Sequence, residues 1–264
     1  EETMEIAQVP FENGLITYHR TDSTRVSEQG FRIAREYLGE SFSPAYGSGE
    51  GAHECIRPTR PLDRLSLQRF IAEGLLQVEG LGKKHLSLYD LIFRRFMASQ
   101  AGVYQAKTAK YRIEYEGREA VEERVLWAEG KAFELYRQVG LKKPLPLGSF
   151  KVRAEIKLVS EKPLFTQADV LGLMKERGIG RPSTYATLLQ KLFLRGYIKT
   201  VYGKLLPTFK GIRVYSFLSR RYESFVSEER TRMLEEKMDR IEKGEQTLKE
   251  TLSELYDEIR NLPP

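Results

Sequence analysis

Gly14-Leu15-Ile16-Thr17-Tyr18-His19-Arg20-Thr21-Asp22-Ser23-Thr24 says more about this chain than any other stretch of it. Leu15, Ile16, Thr17 and Tyr18 follow a glycine break and are apolar, β-branched or aromatic, which predicts a short strand. Side chains alternate faces along a strand, so Tyr18 and Arg20 are expected to point the same way. A phenol beside a guanidinium suits attack on a phosphodiester. The phenol is a poor nucleophile until its proton leaves, and a fixed cation both favours the phenolate and steadies charge on the phosphoryl oxygens. Asp22 and Ser23 are expected to shape the following turn through side-chain-to-backbone bonds.

Outward from this stretch the first hundred residues read as mainly helical. Ser27 followed by Glu28 predicts a helix start, and Phe31, Ala34, Tyr37 and Leu38 supply an apolar face. The glycines and serines of residues 43–51 predict a flexible loop that delivers His53-Glu54-Cys55-Ile56-Arg57-Pro58-Thr59. Leu88, Leu91, Ile92, Phe93 and Phe96 predict a buried helix, with Arg94 and Arg95 on its opposite side. From about residue 105 the pattern alternates. Tyr111 to Tyr115, Ala120 to Glu122, and Val152 to Leu158 predict strands with one dry face, the first two joined by a turn at Glu116-Gly117-Arg118.

Past Pro163 helical spacing returns, with Thr166 as an expected cap. Gly178-Ile179-Gly180-Arg181-Pro182-Ser183-Thr184 reads as a turn entering a second helix, proline standing where its missing N–H is harmless. Two hydroxyls, an arginine and unpaired N–H groups at such a helix start suit a phosphate. A hairpin through Tyr202-Gly203-Lys204 completes a winged-helix-like order, and residues 228–262 predict a long amphipathic helical segment interrupted by Gly244, with Met233, Leu234, Met238 and Ile241 inside.

A chain of 264 residues is long enough for two or three compact domains. Its 43 Lys and Arg against 37 acids leave a net charge of +6, which suits a polyanionic partner. One cysteine excludes an internal disulfide framework and a four-cysteine zinc site, and fits a reducing cytoplasm. No apolar stretch approaches a membrane span. Asparagine occurs only at Asn13 and Asn261 while Glu, Lys and Arg abound, a bias of thermophilic proteins. The sequence holds no Asp-x-Asp pair, and Gly80-Leu81-Gly82-Lys83-Lys84 lacks the spacing and hydroxyl of a P-loop. The first residue is not methionine, so a fragment of a longer protein is expected.

Three of these segments, 14–24, 53–59 and 178–186, resemble in order the three signatures of the type IA DNA topoisomerases. Two departures from the bulk of that family, His19 in place of methionine and Cys55 in place of alanine, together with Arg60-Pro61, resemble its reverse gyrase branch. The resemblance implies a toroidal multi-domain α and β fold. Its parts would be a mostly helical tyrosine domain at 1–104, a β-rich arch at 105–164, and a helical base with a winged-helix-like element at 165–264. It implies transient single-strand cleavage through a 5′-phosphotyrosine link, and in reverse gyrase ATP-dependent positive supercoiling. Mg²⁺ and ATP would be held by Toprim and helicase-like domains of the same polypeptide, with no metal ligand in this chain.

The same resemblance makes Tyr18 the nucleophile and gives His53 a role near the scissile phosphate or its neighbour; Arg20, set beside Tyr18 by strand alternation, is expected to hold the scissile phosphate. Arg57, extended before Pro58, is expected to project toward a DNA strand, and Arg181, Ser183, Thr184 and Lys204 to contact single-stranded DNA. Glu54 is expected to support, and Cys55 to pack. Two alternatives stand beside this reading: a simple ATP-independent type IA enzyme, and a winged-helix DNA-binding module with no chemistry. The last leaves the Tyr18 and His53 segments unused, and an active site requires Tyr18, Arg20 and His53 to converge on one surface.

Overall fold

The computed structural model describes residues 2–44, 47, 53–151 and 161–260. The chain divides into two compact units, residues 2–155 and 156–264.

The first unit is helical and then β. Its helices are α1 (Glu2–Glu12), α2 (Glu28–Leu38), α3 (Arg64–Ala72), α4 (Lys83–Ser99) and α5 (Lys131–Leu135), with a hairpin of β1 (Gln105–Tyr115) and β2 (Arg118–Glu129) before α5. α4 is the spine. Tyr89, Phe93, Phe96 and Met97 recur at helical spacing on its inner side, each at most 5% exposed. Leu15, Ile16, Val26, Ile33, Ala34, Leu38 and Leu67 close over them to make one core. Tyr37 meets Phe93 edge-on at 4.8 Å, and the Tyr89 hydroxyl donates to the Leu62 carbonyl, so the buried phenol keeps a partner. The expected cap is present: Ser27 Oγ accepts from the Gly30 N–H at the start of α2.

Leu15 to Tyr18 do not make a strand. Ile16 forms one isolated bridge with Pro58, and the rest of the stretch is irregular. The second segment is itself short and proline-bound, so no ladder can extend beyond that pair. In the hairpin, Tyr115 pairs with Arg118 across Glu116 and Gly117, both at positive φ (48° and 74°), as a tight two-residue turn requires. The expected dry face is not dry: Ile113 is 40% and Val121 62% exposed. The ribbon has two described strands, and the 142–145 loop covers part of it through Lys142 N–H to Val125 and Leu145 N–H to the Tyr111 hydroxyl. Val152 to Leu158, expected as a further strand, lies outside the described residues.

The second unit runs α6 (Gln167–Glu176), α7 (Tyr185–Leu194), β3 (Ile198–Val201), β4 (Lys204–Pro207), α8 (Phe209–Arg221), α9 (Glu228–Glu242) and α10 (Leu248–Arg260). Helix, turn, helix and hairpin follow in the winged-helix order, β3 pairing antiparallel with β4. Thr166 caps α6 in a reciprocal box with Asp169. The Arg181 carbonyl accepts from the Thr184 and Tyr185 N–H groups, which leaves Pro182 in the first turn leading into α7. The long terminal segment is two helices broken at Gly244. Met233 and Met238, expected inside, are 43% and 62% exposed; the two helices are tied by Lys237–Glu254 and Arg230–Glu258 ion pairs.

Candidate active site

The site begins with a stitching of the 14–25 and 53–59 segments in the first unit. Thr17 is the main stitch: its N–H donates to the Arg57 carbonyl, its hydroxyl donates to the Cys55 carbonyl at 2.7 Å, and it accepts from the Arg57 N–H at 2.9 Å. Thr59 returns its N–H to Leu15 and its hydroxyl to Gly14. Ser23 Oγ and Arg25 Nε both donate to the His53 carbonyl, and the Cys55 N–H donates to Arg25. These bonds fix where Tyr18 and His53 stand relative to each other.

Tyr18 is 41% exposed, its neighbour His19 is buried, and Arg20 is exposed. The alternation expected of a strand therefore survives without a strand's ladder, and Tyr18 and Arg20 both face solvent. The Tyr18 and His53 rings lie 6.5 Å apart at 32°, with His53 exposed. Beneath, Phe11 of α1 meets the Tyr18 ring edge-on at 5.4 Å and the His19 ring at 5.7 Å. Arg20 forms no ion pair or hydrogen bond among the described residues, so its guanidinium is available to an incoming anion. Thr17 and Phe11 were not singled out from sequence. The polar Thr17 inside an apolar run was the available signal for the first; Phe11 carries none, because only the tertiary fold brings α1 under Tyr18.

Arg57 is not the projecting cation expected. It is 4% exposed, and its fork closes on Glu54 at 2.9 and 3.0 Å, with further bonds to the Pro58 carbonyl and Ser27 Oγ. A buried guanidinium must be paired in this way, and the Glu54–Arg57 spacing of three was the sign that it would be. Gly30 makes room for it: a Cβ there would sit 2.8 Å from Arg57 Nε. Burial pushes the Glu54 carboxyl up, but hydrogen bonds from Ser27 and Arg57 and the Arg57 charge outweigh it and hold Glu54 below its ordinary value. Burial raises the Cys55 thiol, which keeps it protonated and inert. His19 is shifted the other way: burial, then the Arg20 charge, lowers it and keeps the imidazole neutral.

Arg181, Ser183, Thr184 and Lys204 belong to the second unit. Thr184 Oγ1 accepts from the Arg181 N–H and donates back to its carbonyl, fixing the turn. Ser183 is exposed. The Arg181 guanidinium is turned onto α9, with Nε at 2.8 Å from Glu235 and Nη2 at 2.6 Å from Asp239. The Asp239 hydrogen bond raises its pKa against the effect of burial. Lys204 is half-buried at the start of β4, beside a cleft that Phe165 and Asp169 also line. Among the described residues no group of three His, Cys, Asp or Glu side chains is gathered closely enough to hold a metal. Mg²⁺ demands a set of oxygen ligands, so the residues around Tyr18 do not fit it.

An exposed tyrosine and an exposed histidine thus face each other across two interlocked polar segments, with an exposed arginine two residues beyond the tyrosine, on a mixed α and β scaffold. Residues 1–253 match the profile of the DNA topoisomerase family, and the chain belongs to the type IA DNA topoisomerases, which are isomerases. Reverse gyrase 1 of Aquifex aeolicus is 45% identical over 97% of this chain and 23% of its own length. The reverse gyrases of Pyrobaculum aerophilum and Pyrococcus furiosus are each 46% identical over 97% of this chain and 22% of theirs. The chain thus spans less than a quarter of these relatives. Full-length topoisomerase I from Thermotoga maritima matches its fold with a TM-score of 0.74 at 29% identity, over 98% of this chain and 45% of that one.

Proposed function

We propose that this chain is the tyrosine-bearing part of a reverse gyrase, in which Tyr18 cuts and rejoins one DNA strand. The Tyr18 oxygen attacks a backbone phosphorus, its bond to the 5′-phosphate forms as the bond to the 3′ oxygen breaks, and the phenolic proton leaves as the 3′ oxygen gains one. Reversal reseals the strand. Because one phosphodiester replaces another, cutting and rejoining need no ATP of their own. Arg20 neutralises the phosphoryl oxygens as charge grows on them, and His53 donates to the same group. The observation that carries this reading is the facing of Tyr18 and His53 at 6.5 Å beside an unpaired, exposed Arg20.

The higher identity to reverse gyrases, 45–46% against 29% for topoisomerase I, supports that branch over the simple relaxing enzyme. In this reading residues 1–104 form the tyrosine domain, 105–164 the arch and 165–264 the base that meets single-stranded DNA through Ser183, Thr184 and Lys204. Arg181 joins them when DNA phosphates displace Glu235 and Asp239. Toprim and helicase-like domains of the longer polypeptide hold Mg²⁺ and ATP, and the enzyme works in the cytoplasm, where its DNA substrate would be.

The test uses the longer protein and end-labelled single strands, trapping covalent complexes with detergent. Tyr18→Phe is expected to abolish the adduct while DNA affinity stays within about twofold, since only the attacking oxygen is lost. Arg20→Ala is expected to slow cleavage by about 10²–10³-fold, the cost typical of removing one group that stabilises a transition state, and Arg20→Lys by less. An adduct that persists in Tyr18→Phe would remove Tyr18 from this role.

A further inference from the structure

Helix α8, Phe-Lys-Gly-Ile-Arg-Val-Tyr-Ser-Phe-Leu-Ser-Arg-Arg, carries four basic residues and no acidic one. Gly211, Val214 and Leu218, on the side toward the rest of the unit, are half-buried, and no residue of the helix is fully buried. On the outer side Phe209, Arg213 and Phe217 stand at intervals of four, so they share one stripe, and Arg220 continues it a turn later. Phe209 is 77% and Phe217 57% exposed. The Arg213 guanidinium lies 5.8 Å from the Phe209 ring centre.

Two things make this stripe unlike an ordinary helix surface. Phe209 and Phe217, whose ring also meets Tyr222 at 6.3 Å, alternate along the stripe with cations instead of with polar residues of both signs. The cations also lack carboxylate partners. Arg177, Arg181, Arg230 and Arg232 of the same unit are all paired with carboxylates of α9 or α10. Lys210, Arg213, Arg220 and Arg221 form no ion pair among the described residues. Arg195, Arg240 and Arg260 of the unit also form no ion pair among the described residues, but α8 gathers four such cations on one helix that carries no acid.

We propose that the outer face of α8 is a stacking platform for single-stranded nucleic acid, separate from the Gly178–Thr184 turn. Phe209 and Phe217 take bases on their faces, about 12 Å apart along the helix, and Arg213 and Arg220 take the phosphates between them. Rings serve any base because every base has a π-face, and the guanidiniums hold the backbone without regard to sequence. An acidic protein would satisfy the charges but not explain the regular alternation of ring and cation. The proposal rests on the reading of the chain as a DNA-handling enzyme and adds a surface to it, one that keeps an opened strand from drifting.

The test is fluorescence anisotropy of a labelled oligothymidylate, and of a duplex of equal length, with the 264-residue chain. Phe209→Ala with Phe217→Ala is expected to weaken single-strand binding by about tenfold or more, from two lost stacks. Duplex binding should change less than about threefold and the salt dependence not at all. Arg213→Ala with Arg220→Ala is expected to lower the slope of log affinity against log salt by about 1.4, two single-strand phosphate contacts at about 0.7 each. All four side chains are exposed, and circular dichroism checks that the fold is kept. A second measurement needs no variant: a strand carrying 5-iodouracil, irradiated on the unmodified chain, should crosslink to the 209–221 peptide. Unchanged single-strand affinity in the aromatic double variant, equal losses for both forms of DNA, or crosslinks only elsewhere would overturn the platform. None of these readouts depends on Tyr18, so an absent covalent adduct would sink the catalytic reading alone, and a flat result here with the adduct intact would sink the platform alone.

Discussion

Between the exposed Tyr18 and the exposed Arg20, the His19 imidazole is folded inward against Phe11, with neither ring nitrogen partnered. A buried polar group without a hydrogen bond costs about 1–3 kcal/mol, and a protonated one would cost more, which is why burial and Arg20 lower its pKa. The unfolded chain, with an ordinary imidazole near 6.5, takes up a proton at a higher pH than the folded chain does. Stability is therefore full above about pH 6.5 and is lost as pH falls through the lowered folded value. Glu54 acts in a separate, more acidic window: its folded value lies below the ordinary 4.5, so its contribution is present above that and lost as pH drops further. His19→Met should remove the first loss. The variant is expected to melt at about the same temperature as the parent or slightly higher at pH 8, and clearly higher at pH 5.5. Thermal melts of both proteins from pH 5 to 8 check this, and parallel curves would mean that His19 is not the titrating group.

At the scale of the element, α8 depends on one close approach. Thr208 caps it, accepting from the Gly211 N–H and donating to the Gly196 carbonyl. That arrangement presses Gly211 against the preceding turn, where a Cβ would sit 2.2 Å from the Tyr197 carbonyl oxygen. A backbone oxygen cannot swing aside, so Gly211→Ala should destabilise the second unit by about 1–3 kcal/mol, the usual cost of overpacking. Chemical denaturation followed by far-ultraviolet dichroism would measure it; a change below about 0.5 kcal/mol would mean that the turn can yield. The sequence displayed the local rules well: the Ser27 and Thr166 caps, the Glu116-Gly117 turn and the helix–turn–helix–hairpin order stand where short-range chemistry put them, and Phe93 and Phe96 of α4 are buried as expected, whereas Leu91, expected with them, is 44% exposed. It displayed partners less well. Periodicity marked Ile113, Val121, Met233 and Met238 for burial, but burial needs a second surface, and that lies beyond the reach of a local pattern. Arg57 and Arg181 read alike as free cations, yet Arg57 closes on Glu54 three residues away, a pairing visible in the sequence, whereas Arg181 reaches acids 54 and 58 residues on, which only the fold supplies.

At the scale of the whole molecule the two units are built on different physics. The first is held by one apolar cluster around α4, with Phe93, Met97 and Leu67 at most 1% exposed. In the second, Leu189 and Leu205 are the buried hydrophobics among the described residues, and ion pairs carry the packing of α9: Arg177–Glu228, Arg181–Glu235, Arg181–Asp239, Lys237–Glu254 and Arg230–Glu258. Apolar burial is insensitive to simple salt, whereas the pairs exposed on both sides, Arg177–Glu228 and Arg181–Asp239, worth about 0–1 kcal/mol each, are screened once the Debye length falls to about 3 Å at 1 M. Heating the 264-residue chain should therefore give two transitions. Raising NaCl from 50 mM to 1 M should lower the one belonging to residues 156–264 by about 5–10 °C, on the scale of about 4–8 °C per kcal/mol for a domain of this size, and leave the other nearly still. The chain supplies its own probe, because its single tryptophan, Trp127, lies in β2 of the first unit. Trp127 fluorescence should follow only the salt-independent transition while dichroism follows both. One common transition in both signals at every salt concentration would show that the units do not unfold independently.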